Sequence, residues 1–262
     1  MRGLWRRRHD ETGTTLLMVL GSERCGSNLV ESALNDHPQI LCLGEVFNHG
    51  LERSKKRLEK LAAMEPEPLL RGKLLSDPDL PRKDPIGFVR TLTRKDCGPI
   101  QVVGFRAFYH HLDRRAWRQV RRQPNLRVIH LIRENLLAQL YSLRRAEETG
   151  IWIATSTPTQ LVPISIPFED CRAFFEERKR QVDHFRKFFA KSIYHELTFE
   201  DLSDPAHQPR HLEALQEFLS VRAQPLTSPF KRITTTPLSD SVTNYLELQS
   251  RFEGSAWEPL FR

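Results

Sequence analysis

Residues 14–38 constrain this chain more than any other stretch. Thr14-Thr15-Leu16-Leu17-Met18-Val19-Leu20 is a short apolar run that ends in Gly21-Ser22, the pattern of a buried strand. Gly21 through Asn28 (Gly-Ser-Glu-Arg-Cys-Gly-Ser-Asn) form a turn of small residues, after which Leu29, Val30, Ala33 and Leu34 recur at helical spacing until Asp36-His37-Pro38 stops the helix. A helix N-terminus carries unpaired N–H groups and about half a positive charge, so a loop entering it from a strand suits a phosphate or sulfate. Arg24 adds a fixed cation, and Gly26 allows close backbone approach. The loop has no Gly-Lys-Ser/Thr, so it is not a Walker motif and offers neither the phosphate lysine nor the Mg²⁺-binding hydroxyl of one.

The rest of the chain repeats the alternation. Ile40-Leu41-Cys42-Leu43, Val102-Val103-Gly104-Phe105, Val128-Ile129-His130-Leu131-Ile132 and Ile193 to Leu197 read as strands. Helices are expected near 113–122, 135–148, 171–189 and 212–219, with a terminal one near 244–248. The expected fold is α/β, a central parallel sheet with helices on both faces. At about 150 residues per domain, 262 residues argue for one large domain over 14–262, preceded by a flexible basic leader over 1–13. Residues 51–97 are charged and proline-rich and are expected to form a variable, mostly surface insertion; 153–167 reads as a substrate or lid loop. The phenylalanine stripe over 174–189 is expected to be core, as is His130, and His37 to be a structural turn residue.

Composition narrows the partners. Lys and Arg outnumber Asp and Glu by 40 to 33, a net charge of +7 that favours an anionic ligand, nucleic acid or a membrane face. No run approaches the roughly 20 apolar residues that span a bilayer. The four cysteines, Cys25, Cys42, Cys97 and Cys171, include no C-x-x-C pair, which argues for reduced thiols, no zinc site and a cytoplasmic chain.

A second constellation lies at Arg127 to Ser142. Arg133 follows the strand directly, and Ser142 stands nine positions on in the helix that begins near Asn135. An arginine fork and a hydroxyl at that edge can clamp a second anion. Two anion sites at strand carboxyl ends suggest a nucleotide with phosphates at both ends of the nucleoside.

These two segments resemble the 5′-phosphosulfate loop and the 3′-phosphate motif of sulfotransferases that use 3′-phosphoadenosine 5′-phosphosulfate (PAPS), nearest the bacterial trehalose and Nod-factor carbohydrate sulfotransferases. The carrying residues are Gly21 to Leu29 with Asn35-Asp36-His37-Pro38, Leu131-Ile132-Arg133 through Ala138-Gln139, and Ser142 to Trp152; Leu197 to Leu202 resembles the family's Tyr-Glu-Asp-Leu strand end. The match covers about a third of the chain. It implies a fold like the P-loop nucleotide kinases, no metal and a homodimer; no nucleic-acid partner is expected, because acidic residues are interspersed among the basic ones and no RRM, KH or zinc-finger pattern appears. It also implies transfer of a sulfuryl group to a hydroxyl of a carbohydrate or glycolipid-type acceptor. By motif match, Arg24 and the backbone of Cys25, Gly26, Ser27 and Asn28 hold the 5′-phosphosulfate, and Arg133 and Ser142 hold the 3′-phosphate. Glu45 falls where the trehalose-type enzymes place a general base. Phe47, Asn48 and Trp152 are expected along the acceptor mouth, and the basic loop at Lys231 and Arg232 is a candidate to close over the 3′-phosphate or adenine.

The chain departs from the family pattern at Glu23, which must turn away from the anion or pair with an arginine, at Cys25, and at Asn28, whose amide can still donate. Three rival readings are a small-molecule kinase on the same fold, marked by a Mg²⁺ requirement, a basic nucleic-acid-binding protein, marked by steep salt dependence, and a donor-binding relic without turnover.

Overall fold

A computed structural model describes residues 14–50, 77, 79–93, 99–153, 162–230 and 236–261. The leader 1–13, most of the 51–97 insertion, the middle of the 153–167 segment, and Lys231 and Arg232 lie outside the described residues. In chain order the elements are β1 (Thr15–Gly21), α1 (Ser27–Asn35), β2 (Ile40–Cys42), α2 (Val46–His49), α3 (Leu80–Lys83), α4 (Pro85–Thr93), β3 (Val102–Phe108), α5 (Arg114–Arg121) and β4 (Leu126–Ile132). They continue with α6 (Leu136–Thr149), α7 (Phe168–Phe189), β5 (Ile193–Thr198), α8 (Phe199–Ser203), α9 (Gln208–Leu219), α10 (Leu238–Ser241), α11 (Tyr245–Phe252) and a closing 3₁₀ turn (Glu258–Phe261).

The five strands pair in the order β2-β3-β1-β4-β5, every pair parallel, as the alternating pattern requires. β1 reads as a continuous apolar run because both of its faces are covered. Leu16, Met18 and Leu20 enter one core cluster with Phe88, Phe105, Trp117, Phe185 and Phe189, while Leu17 and Val19 enter a second with Val30, Leu34, Leu212 and Leu215. A third cluster joins α6, the first half of α7, α10 and α11 around Tyr141, Phe175 and Phe252. The 22-residue α7 therefore ties the main core to this C-terminal cluster, and the phenylalanine stripe is packing, as expected.

Chain direction from β1 and from β4 diverges to opposite sides of the sheet, so the crevice where an open α/β sheet takes a ligand opens between their carboxyl ends. One expectation needs correction. Residues 80–93 are not surface filler: Phe88 and Val89 are fully buried and Leu92 nearly so. The prolines there do not break structure, because Pro81 and Pro85 stand in the first turn of α3 and α4, where a missing N–H costs nothing. The described end of the 153–167 segment is tied to α6, α10 and the start of α11. Ile164 bridges to Val242, Ile166 exchanges two hydrogen bonds with the Asn244 side chain, and the Tyr141 hydroxyl donates to the Val162 carbonyl.

Candidate active site

The loop after β1 is set by two close approaches. A Cβ on Gly21 would stand 2.8 Å from both the Leu131 carbonyl and the Cys25 sulfur, so only glycine lets β1 end against β4. Gly26 has φ +91°, and a Cβ there would meet the Phe199 ring at 2.4 Å. Arg24 also adopts a left-handed backbone, φ +62°. That turn aims its side chain across the crevice. α1 then begins with no side-chain cap on its first turn.

Arg24 joins the two sequence motifs. Its Nε donates to Ser142 Oγ at 2.9 Å, and its Nη1 donates to the Trp152 carbonyl at 2.5 Å. Arg133 supports the loop from β4: its Nη1 donates to the Arg24 carbonyl at 3.1 Å, and its guanidinium lies 4.5 Å from the Phe199 ring centroid. Gln139, buried on α6, donates to Ser22 Oγ and to the Glu23 carbonyl. Burial, and next the positive charge of Arg145, hold the Arg24 guanidinium below its ordinary pKa.

The departures from the family pattern find their places. Glu23 turns away from the crevice and pairs with Arg178 of α7 at 2.8 Å and with His110 Nδ1 at 3.3 Å. Cys25 is fully buried, and burial pushes its thiol pKa up, so it is structural. Asn28 stands half-buried on the first turn of α1.

Glu45 lies just beyond β2, at the start of α2, and its geometry depends on a residue the sequence reading passed over. Arg106, inside β3 and 7% exposed, ion-pairs with Glu31 of α1 and reaches Glu45 Oε1 at 3.1 Å; its Nη1 donates to Ser27 Oγ at 2.9 Å. One guanidinium therefore holds the Glu45 carboxylate and the first residue of α1 together. Asn48 Nδ2 donates to Glu45 Oε2 at 3.2 Å. The signal for Arg106 was a lone charge in the apolar run 102–108, since a parallel strand buried on both faces carries a cation only with partners.

Phe47 does not line a mouth. It is 7% exposed and packs edge-on against Phe88 and Phe105, because α2 turns that side chain onto the core. Trp152 is 47% exposed between the exposed Ile151 and Ile153, and its carbonyl accepts from Arg24. His37 is a turn residue, its ring bonded to the Arg222 carbonyl and the Gln39 amide. His130 is fully buried between the Tyr109 and Tyr194 hydroxyls at 2.6 Å each, and burial pushes its pKa down to about 4. Among the described residues no group of three or more His, Cys, Asp or Glu is arranged to hold a metal, and no helix is long and apolar enough to cross a membrane.

The fold of this sheet and its loop is similar to that of solved sulfotransferases. The fold resembles the sulfotransferase domain from the curacin biosynthetic pathway, with a TM-score of 0.52 and 16% identity, covering 94% of this chain and 89% of that one. It also resembles the sulfotransferase from Alicyclobacillus acidocaldarius, with a TM-score of 0.51 and 13% identity over 94% of both chains. No family model matches the sequence. Among curated proteins the chain is 26% identical to nodulation protein H of Rhizobium meliloti strain 1021 over 251 residues, 93% of each chain. Nodulation protein H of Rhizobium tropici is 26% identical over 256 residues, 93% of this chain and 92% of that one. The expectation of a sulfotransferase enzyme is borne out.

Proposed function

We propose that this enzyme moves a sulfuryl group from PAPS to a hydroxyl of a carbohydrate or glycolipid-type acceptor, in line, with Glu45 as general base. The observation that carries this reading is the hydrogen bond from Arg24 to Ser142, 118 residues apart. It joins the loop after β1 to the α6 helix that follows β4, the two segments assigned here to the 5′-phosphosulfate and the 3′-phosphate, while Arg106 holds a carboxylate beside the same loop.

In the step itself, the acceptor oxygen forms a bond to sulfur as the bond from sulfur to the 5′-phosphate oxygen breaks. Glu45 takes the acceptor proton, and adenosine 3′,5′-bisphosphate (PAP) leaves. Charge accumulates on the equatorial sulfuryl oxygens and on the departing phosphate, and Arg24 and the first-turn amides of α1 are assigned to offset it. A sugar hydroxyl is a poor nucleophile while protonated, which is why an oriented carboxylate matters. Arg133 braces the loop and is assigned with Ser142 to the 3′-phosphate. The full-length similarity to nodulation protein H supports the carbohydrate class of acceptor implied by the resemblance to Nod-factor sulfotransferases. The exposed Ile151-Trp152-Ile153 run and the exposed Asn48 are assigned to the acceptor side. A homodimer and a cytoplasmic location rest on the same resemblance.

The test is PAP binding in EDTA followed by turnover. PAP should raise the melting temperature without metal; at 100 times its dissociation constant a ligand stabilises by about 2.7 kcal/mol. Glu45→Gln should keep PAP affinity and lose about 10² to 10⁴ in turnover. Retained turnover removes Glu45 as base, and stabilisation only by ATP with Mg²⁺ replaces the whole reading with a kinase.

A further inference from the structure

α5 carries Arg114, Arg115, Arg118 and Arg121, and Arg122 stands at its C-cap. All five are exposed. At about 100° per residue they fall within a ~120° arc, with about 12 Å of rise from the first to the last. Trp117 and Val120 turn the opposite side into the core. Arg118 therefore has an arginine at each of its helical neighbours, i−4, i−3, i+3 and i+4, where like charges destabilise a helix. The long α7 handles the same chemistry differently: Arg172, Lys179, Arg180 and Arg186 each pair with a carboxylate. Between Asp113 and Glu134 the chain has no acidic residue, and among the described residues no carboxylate ion-pairs with the α5 arginines. Asp113 is the N-cap and accepts from the Ala116 amide, and Arg121 donates to the Phe188 carbonyl at 2.9 Å. The fold does not require the row, since the core uses Trp117 and Val120 and the cap is Asp113.

We propose that the arginine face of α5 docks the protein on an anionic membrane surface, by contact with acidic phospholipid headgroups. A layer of headgroups offsets the repulsion along the row and supplies each guanidinium with the anion it lacks in the free protein. The arc holds no exposed apolar side chain to insert among acyl chains, so the binding is electrostatic and raised salt releases it. Nor does it hold an aromatic side chain on which a base could stack, which sets a lipid surface above a single-stranded nucleic acid. Each arginine close to such a surface raises affinity about fivefold. Docking of this kind brings the enzyme to lipid-borne acceptors, yet it does not depend on the donor or acceptor reading, because vesicle binding is measured without nucleotide.

The test sediments the full chain with vesicles of phosphatidylcholine alone and with vesicles in which about one third of the lipid is phosphatidylglycerol. Wild type should bind the anionic vesicles and not the neutral ones. The triple variant Arg114→Gln, Arg118→Gln, Arg122→Gln leaves Arg121 and its contact with Phe188 in place. It should bind about 10²-fold more weakly and melt at the wild-type temperature or above, because repulsion along the helix is removed. Arg118→Glu alone, at the centre of the row, should weaken binding about 25-fold. Lys179→Gln, Arg210→Gln, Arg222→Gln removes the same net charge from other exposed positions and should stay within about threefold of wild type, since salt confines each field to about 8 Å. Wild type that ignores anionic vesicles overturns the proposal. So does unchanged binding in Arg118→Glu, or an equal loss in both triple variants, which marks net charge alone. Tighter binding of mixed-sequence duplex DNA than of anionic vesicles, abolished by the α5 triple variant, replaces the membrane with nucleic acid.

Discussion

Gly26→Ala probes whether the loop geometry is held by a single contact. At φ +91° an alanine is strained by about 1–2 kcal/mol, the cost of the left-handed region for a residue with a Cβ. Its Cβ would also stand 2.4 Å from Phe199 Cδ2 and 3.1 Å from Cε2, well inside the ~3.5–4 Å of an ordinary carbon contact. Relief requires the ring to move by about 1 Å. Arg133, stacked on that ring and bonded to the Arg24 carbonyl, would be displaced with it. Overpacking of this kind costs about 1–3 kcal/mol, so the variant should lose about 2–5 kcal/mol in urea unfolding. PAP affinity should fall with it, because the first-turn amides and Arg24 move together. The control is Gly26→Ala in a Phe199→Ala background, where only the backbone strain remains and the increment should drop to about 1–2 kcal/mol. A cost below about 1 kcal/mol in the wild-type background, or equal increments in both backgrounds, refutes the reasoning.

Two further predictions follow from burial. His130 is neutral in the fold, with its pKa at about 4 against 6.5 in the unfolded chain. The stability it contributes is present above pH 6.5 and is lost as pH falls towards 4, because the unfolded chain takes up a proton that the folded chain refuses. The loss is at most about 3 kcal/mol. Urea unfolding at pH 7, 5.5 and 4.5 should show the gap between wild type and His130→Gln narrowing as pH falls, and a constant gap rejects the assignment. Cys25, Cys42 and Cys171 are buried, with burial raising the thiol pKa of Cys25 and pushing that of Cys171 up to about 12. In a Cys97→Ser background, a chromogenic disulfide reagent should therefore label no thiol rapidly in the native protein and all three in urea; fast native labelling at Cys25 places that side chain in the crevice instead.

The local parts of this protein were legible in its sequence. The apolar run before Gly21, the small-residue turn and the helical spacing after it specify strand, loop and helix within about twenty residues, since each depends on near neighbours alone. The alternation of such units fixed a parallel sheet, and the arginine directly after the 128–132 strand fixed a second edge position. What the linear pattern could not supply was which distant side chains meet. Arg24 reaches Ser142 across 118 residues, and Arg106 reaches Ser27 across 79, because strand order 2-3-1-4-5 brings three carboxyl ends to one edge. Whether an apolar residue faces solvent or core beyond a strand end is settled by the turn that follows: Phe47 falls inward and Trp152 outward although both lie at the edge. The burial of Arg145, whose Nη1 has no hydrogen-bond partner among the described residues, is likewise a product of tertiary packing, since its sequence neighbour Arg144, identical in chemistry, points to carboxylates in water. Residue type determined what each group can do, and the fold determined which groups share an interior where the dielectric is low enough for an unpaired charge to matter.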